Sequence, residues 1–278
     1  MSSYQHIISS LYMRRTLFYI NLAWANVSNS LKSRLAYRED FWAGFIANFM
    51  TQMIGVLFVA ALFGRVPHVK GWYRYEIFYI YGFSQLTLGL FFLFFSNLFE
   101  VSERYIVEGW FDRVLLRPLD SFFQVIIERI HFEEISNILV GLVIMLYSLH
   151  HLKISLSPSQ HLMILGMALS ACLIYLGVFT AAVSATFWFN DRGSLVSVLH
   201  LMQNFSGYPV TIYGPKLKFI LSWIIPYAFT AFYPAVQVLR PSKYVLYAWL
   251  TPAIGLLFFG LGMFTWKQGV KAYESTGS

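Results

Sequence analysis

The sequence predicts an all-α integral membrane protein with six transmembrane helices, an N-terminal interfacial amphipathic helix and a re-entrant helical hairpin before the last span. Three observations carry this. Only 12% of the residues are charged while 58% are hydrophobic, with mean hydropathy +0.59; a soluble domain has about 25% charged residues. A chain of this size exposes too much surface for so few polar groups to cover. Several apolar runs approach or exceed the ~20 residues that a helix needs to cross ~30 Å of hydrocarbon.

Residues 1–40 form the first region. Ile20, Trp24, Val27, Leu31 and Leu35 recur at helical spacing, with Asn21, Ser28 and Lys32 on another face. With Arg14, Arg15, Lys32, Arg34 and Arg38, this amphipathic helix suits an anionic leaflet. Met1 to Asp40 is too polar for a cleavable signal and lacks its short apolar core. The membrane domain, residues 41–266, starts with the span "FWAGFIANFMTQMIGVLFVAALF" at 41–63. The basic loop "GRVPHVKGWYRY", 64–75, precedes an aromatic span at 77–99. A loop at 100–120 follows. One long helix is then expected from Pro118, since Pro suits a first turn, to Leu149, with its spanning part at 132–150. The fourth span covers 161–189 and closes at "NDRG".

Two segments compete to be the fifth span, 194–210 and 218–239. The last span is 244–266, and 267–278 is a polar tail. Lys and Arg set the orientation. Five of them precede Phe41, which places the N-terminus in the cytoplasm, and six crossings return the tail, with Lys267 and Lys271, to the same side. The 100–120 loop is then cytoplasmic as well. If 194–210 crosses, the cytoplasmic side holds twelve Lys and Arg against eight; if 218–239 crosses, fourteen against six. Charge mildly prefers the second. Pro226 and Pro234 argue the other way, because a mid-helix Pro costs about 3 kcal/mol and suits a re-entrant hairpin.

Composition and motifs also exclude functions. The net charge of +7 fits basic residues at headgroup level, and no clustered basic face points to nucleic acid. The single cysteine, Cys172, lies in an apolar run and supplies neither a disulfide framework nor a metal-spaced thiol set. There is no G-x-x-x-x-G-K-[ST] phosphate loop, no H-E-x-x-H and no G-x-S-x-G. His150 and His151 read as a solvated pair without a third ligand, and His131 and His200 as interfacial or satisfied by neighbours. No catalytic, cofactor or metal site is expected. Spans one, two, four and six carry no charge at their centres. Only Glu128, Arg129, Glu133 and Glu134, on the third helix, stand near the membrane. Glu133 lies four residues after Arg129, so the two can pair. At 32 residues, roughly 48 Å, the helix can keep its charged half in or near the cytosol. The competing readings are a proton-coupled secondary transporter using Glu128, Glu133 or Glu134, and a membrane scaffold that transports nothing.

One stretch stands out: "EGWFDRVLLRPLD", Glu108 to Asp120, has five charges in thirteen residues between two strongly apolar runs. Its charges forbid the hydrocarbon core. Gly109 can end the preceding helix in a left-handed cap, and Trp110 to Arg117 allows about two helical turns. Phe111, Val114 and Leu115 can form an apolar side. Such a piece suits either docking into a groove on a cytosolic partner or a surface turn packed on its own bundle.

"VEGWFDRVLLRPLDSF" resembles the cytoplasmic loop of permease subunits of ABC-2 type ABC exporters, in the branch reading E/S-G-x-x-D-x-x-L-x-R-P-L. The tail "FTWKQGVKAYESTGS" is similar to that branch too. So is "NFSGYPVTIYGPKLKFILSWIIPYAFTAFYPAVQVL", which resembles the end of its fifth span followed by an extracellular re-entrant hairpin. The resemblance implies 194–210 as the fifth span and 216–239 as the hairpin. It implies a plasma- or inner-membrane permease with both termini cytoplasmic. Such a permease would work by alternating access beside a second permease subunit, identical or related, with ATP and Mg²⁺ bound by a separate ATPase subunit. ATPase coupling would fall on Glu108, Gly109, Phe111, Asp112, Leu116, Arg117 and Pro118. Arg117 would pair with an acidic ATPase side chain, or with Asp112 or Asp120 of its own loop. Nothing in the resemblance explains the basic 64–75 loop.

Overall fold

The computed structural model describes residues 2–189, 193–240 and 243–275, with side chains from Leu17 onward. The side chains of Arg14 and Arg15, all of Arg192 and the last three residues of the tail lie outside it. Almost everything described is helical. Five helices are long and apolar enough to cross a membrane, or six if one bent pair counts as a span.

Helix α1 (Ser2–Ala36) presents Ile20, Trp24, Leu31 and Leu35 outward, each about half exposed or more, so the chain's own bundle does not cover the apolar stripe. Other positions touch the bundle: the Tyr19 ring meets Phe123 edge-on at 4.7 Å, and Arg34 pairs with Glu133 at 3.1 Å. Tyr37 interrupts the helix, and α2 (Arg38–Phe63) follows with Glu39 and Asp40 in its first turn, where carboxylates complement the helix dipole.

The basic loop is a small β-hairpin. Strand β1 (His68–Val69) pairs antiparallel with β2 (Trp72–Tyr73). Lys70 and Gly71 between them both have positive φ, 46° and 81°, as a two-residue type I′ turn requires. Helix α3 (Arg74–Phe95) starts directly after it and continues through a 3₁₀ turn (Ser96–Glu100) and a π-helical turn (Val101–Val107). This continuous 34-residue unit is the most enclosed of the five long helices.

The expected rod from Pro118 to Leu149 does not form. Helix α4 (Phe111–Leu115) and helix α5 (Ser121–Ile127) come first, then a break, a 3₁₀ turn (Phe132–Glu134) and α6 (Ile135–Leu152). Asp120, not Pro118, sets the start of α5, because its carboxylate accepts the Phe123 amide at 2.8 Å. The break has a tertiary cause. The His131 amide donates to the Leu93 carbonyl at 3.1 Å, and the Asn97 amide donates to the Val125 carbonyl at 2.6 Å. Both groups would serve the ladder of an unbroken helix, and α3 takes them instead.

Helix α7 (Pro158–Ser184) begins three residues before the expected His161, since Ser157 and Gln160 form a capping box with Pro158 at the first position. The last helix, which follows two shorter ones after α8, extends to Ala272 rather than Trp266 and takes Lys267 and Lys271 into its final turns. Small residues let the long helices approach closely, as membrane packing favours. A Cβ on Gly141 of α6 would sit 2.6 Å from the Gly82 carbonyl of α3, and one on Gly262 of the last helix 2.6 Å from the Gly177 carbonyl of α7. Gly262→Val is therefore expected to destabilise by about 1–3 kcal/mol through overpacking. Gly260→Val, which meets nothing within 4 Å, should leave the melting temperature in detergent unchanged.

The stretch after α7 runs antiparallel beside α3 through its full depth. Helix α8 (Ser194–Met202) has nine residues and a 3₁₀ turn (Gln203–Gly207) follows, so no single helix of spanning length forms there. Its contacts nevertheless step along α3. Gly193 lies beside Ser102, the His200 ring meets Phe99 at 5.5 Å, Ser206 bonds Ser84 at 2.8 Å, and Thr211 accepts from Trp72 Nε1 at 2.7 Å.

Next comes the bent pair, Pro215–Ile224 with Tyr227–Leu239, at 76°; it contains α9 (Pro215–Phe219) and α10 (Phe232–Leu239). One turn holds both of its feet. Lys70 Nζ donates to the Ile212 carbonyl at 3.1 Å, and Arg240 donates to the Gly71 carbonyl at 2.7 Å. The chain thus enters and leaves this pair at the same end of the bundle. At its tip the Thr230 carbonyl accepts from Thr87 of α3 (3.3 Å), and the Thr230 hydroxyl bonds Tyr175 of α7 (2.8 Å). Helix α11 (Val245–Ala272) completes the fold.

Candidate functional site

The charged stretch is a protrusion at the end of the bundle opposite the β-hairpin, and its mounting is aromatic. The chain leaves α3 through Gly109, whose φ of +77° provides the left-handed turn expected of it. Helix α4 then points Phe111 inward. That ring is fully buried, 5.2 Å from Phe187, 5.9 Å from Trp266 and 5.0 Å from Tyr273. Trp266 also meets Phe122 of α5 at 5.4 Å and donates to Ser121 at 3.1 Å. One small cluster therefore ties α4 to α5, to the end of α7 and to the end of α11.

Charge completes the mount. Trp110 lies between two guanidinium groups, Arg104 at 4.5 Å and Arg113 at 4.4 Å from the ring centre, a stacking geometry that suits Arg. Arg104 also pairs with Glu128 at 3.1 Å, and Glu128 accepts from the Tyr105 hydroxyl. Asp112 accepts from Ser275 at 2.7 Å. Burial and the adjacent Asp112 carboxylate push the Tyr273 phenol up to about 12, so it remains neutral at ordinary pH.

The expected coupling residues divide in two. Glu108, Leu116, Arg117 and Pro118 are exposed. Leu116, at 84%, is the most exposed large apolar side chain among the described residues. Arg117 pairs with neither Asp112 nor Asp120 there; Asp112 faces the tail and Asp120 caps α5. Gly109 supplies the turn. Phe111 was expected at the contact surface, yet it is wholly internal and anchors the helix. Val114 is buried beside it while Leu115 is half exposed, so the apolar side of α4 faces its own bundle.

Arg129 and Glu133 do not pair, because the break between α5 and α6 destroys their helical spacing. Glu133 instead meets Arg34 at 3.1 Å and His131 at 3.3 Å. Glu134 turns the other way, accepting from Asn48 (3.1 Å) and Asn137 (2.6 Å). A second polar junction had no sequence signal at all. Arg240 donates twice to Glu76, both at 2.6 Å, and lies 4.2 Å from the centre of the Trp72 ring. This junction accounts for much of the 64–75 loop, which seats the bent helix pair.

Residues 49–277 match the family model described as ABC-2 family transporter protein. The chain belongs to this family. It is accordingly a multi-pass transmembrane permease of an ABC transporter, and ABC-2 membership implies an ATPase partner. The matched region contains the protruding loop and the tail residues Tyr273 and Ser275 that touch it. No curated protein and no solved structure matches the chain.

Proposed function

We propose that this ABC-2 permease forms the substrate pathway of an ATP-driven exporter and takes its driving force from a separate ATPase through the tip of the 108–120 protrusion. The supporting observation is the contrast at α4. Leu116, Arg117 and Pro118 project into solvent, while Phe111, one turn away, is locked into a cluster that reaches α5, α7 and α11. An exposed apolar side chain beside a cation that makes no ion pair among the described residues fits a groove on a partner. A rigid mount lets a push at the tip move several spans together.

In this reading α2, α3, α6, α7, the 194–210 stretch and α11 cross the membrane, and the 216–239 hairpin enters and leaves from outside. Six crossings put both ends of the chain on one side, and the Lys and Arg distribution makes that side cytoplasmic. The host is the cell membrane. A second permease subunit completes the pathway, which works by alternating access, and ATP and Mg²⁺ bind to the ATPase.

Leu116→Asp combined with Arg117→Ala changes only exposed groups. The pair should leave folding intact within about 0.5 kcal/mol, yet lower copurification of the ATPase about tenfold or more. Unchanged copurification would remove the tip from the interface. Labelling of a cysteine at position 116 by an impermeant reagent added outside intact cells would reverse the topology.

A further inference from the structure

Between α2, α3, α6 and the 200–208 stretch lies a cavity of about 400 Å³, within the size range of small-molecule sites. Glu134 reaches it beside Asn48, ten residues into α2 and roughly 15 Å from that helix's start. Both of its oxygens accept from neutral amides, which offset none of its charge. Among the described residues it makes no ion pair, and no Lys or Arg lines the cavity.

The remaining unmet capacity has the same sign. Asn137 is 5% exposed, and its Oδ1 finds no donor among the described residues; Gln203, 3.2 Å from His200 Nδ1, can satisfy its oxygen by exchanging it with its nitrogen. The Asn137 oxygen cannot be exchanged for its nitrogen, because the nitrogen is already needed by the Glu134 carboxylate. A carboxylate and a buried acceptor at membrane depth are costly unless something supplies N–H groups and positive charge. Phe92, Leu88, Tyr81, Tyr208 and His200 are also on the lining, so aromatic rings and apolar cover are available to a cation carried on an apolar body. An anion would meet the Glu134 carboxylate with the His200 imidazole as the one basic side chain on the lining, and a neutral polyol would leave the carboxylate without a counter-charge.

We propose that this cavity binds an organic ammonium ion carried on an apolar body, with Glu134 as its counter-ion and Asn137 Oδ1 accepting an N–H bond from it. That such an ion is the cargo rests on the permease reading above; that it binds here does not.

The test uses the full chain in phosphatidylcholine nanodiscs, without ATPase or nucleotide and with empty discs subtracted. The probe is a dansyl group on a five-carbon primary amine, compared with its uncharged N-acetyl form. The amine should bind about thirtyfold tighter than the acetylated form, the scale of losing one partner of a buried charge pair. Glu134→Gln should remove that difference. Equal binding of the two forms, or amine binding unchanged in Glu134→Gln, overturns the site.

The wild-type chain provides a second measurement if that variant does not fold. A saturating N,N-dimethyl form of the amine, which cannot form an amide with an activated carboxyl, should slow carbodiimide modification of Glu134 while leaving exposed Glu108 unaffected; an unchanged rate at Glu134 overturns the site equally. Amine bound in this way but not exported by the ATP-driven complex would uphold the site and remove the amine as cargo.

Discussion

Phe111→Ala should destabilise the chain by about 3–5 kcal/mol, the usual cost of deleting a buried aromatic ring, and should abolish ATP-driven export even under conditions where the protein still folds. The ring is fully buried and touches Phe187, Trp266 and Tyr273, so its loss opens a void where α4, α7 and α11 meet. Thermal unfolding in detergent gives the first quantity. The second is read as ATP hydrolysis that continues without transport, because Leu116 and Arg117 remain on the surface while their mount slackens. Phe111→Leu keeps much of the volume and should recover most of both losses. A variant lacking the ring that transports normally would show that α4 carries no load.

Arg240→Ala should cost about 3–5 kcal/mol, because it strands the nearly buried Glu76 carboxylate without a counter-charge, with only the Tyr73 amide still donating to it. The same change removes the bond to the Gly71 carbonyl and the stacking on Trp72, which frees one foot of the bent helix pair. Protease cleavage within residues 212–240, slow in the native chain, should then accelerate while α11 keeps its protection. The double variant Arg240→Ala with Glu76→Gln should recover part of the stability, since no lone charge is left. It should not restore protease resistance. Equal stability of the single and double variants would mean that Glu76 is solvated and the ion pair carries little.

The contrast between these two sites shows what the amino-acid order reveals. Hydropathy reports the membrane class and the long apolar helices because it is a property of each segment alone. Gly109 was readable for the same reason, as its left-handed turn is local. Direction was not readable: the spacing of Phe111, Val114 and Leu115 defines a side of α4, but only the positions of Trp266 and Tyr273, some 155 residues away in the chain, decide that it faces inward. The loop and tail had each been distinctive, and contact between Asp112 and Ser275 joins them.

The break after α5 is invisible to periodicity, since the groups that cause it, Leu93 and Asn97, sit on another helix. The 164-residue separation of Arg240 from Glu76 hides that pair just as completely. The Lys70–Gly71 turn is different. Gly71 between His-Val and Trp-Tyr is half of a local hairpin signal, but Lys70 is not a residue that favours positive φ.

The grip of that turn has a mechanical consequence. Both feet of the 216–239 plug hang from the head of α3, through Lys70, Gly71 and Glu76, and its tip is bonded to Thr87 further down the same helix. The bent pair is thus hung from α3 at three points, with a further bond from its tip to α7. A tilt of α3 therefore pulls on the β-hairpin end of the bundle in the same stroke, against the bonds that Thr230 and Tyr227 make to α7 and α8.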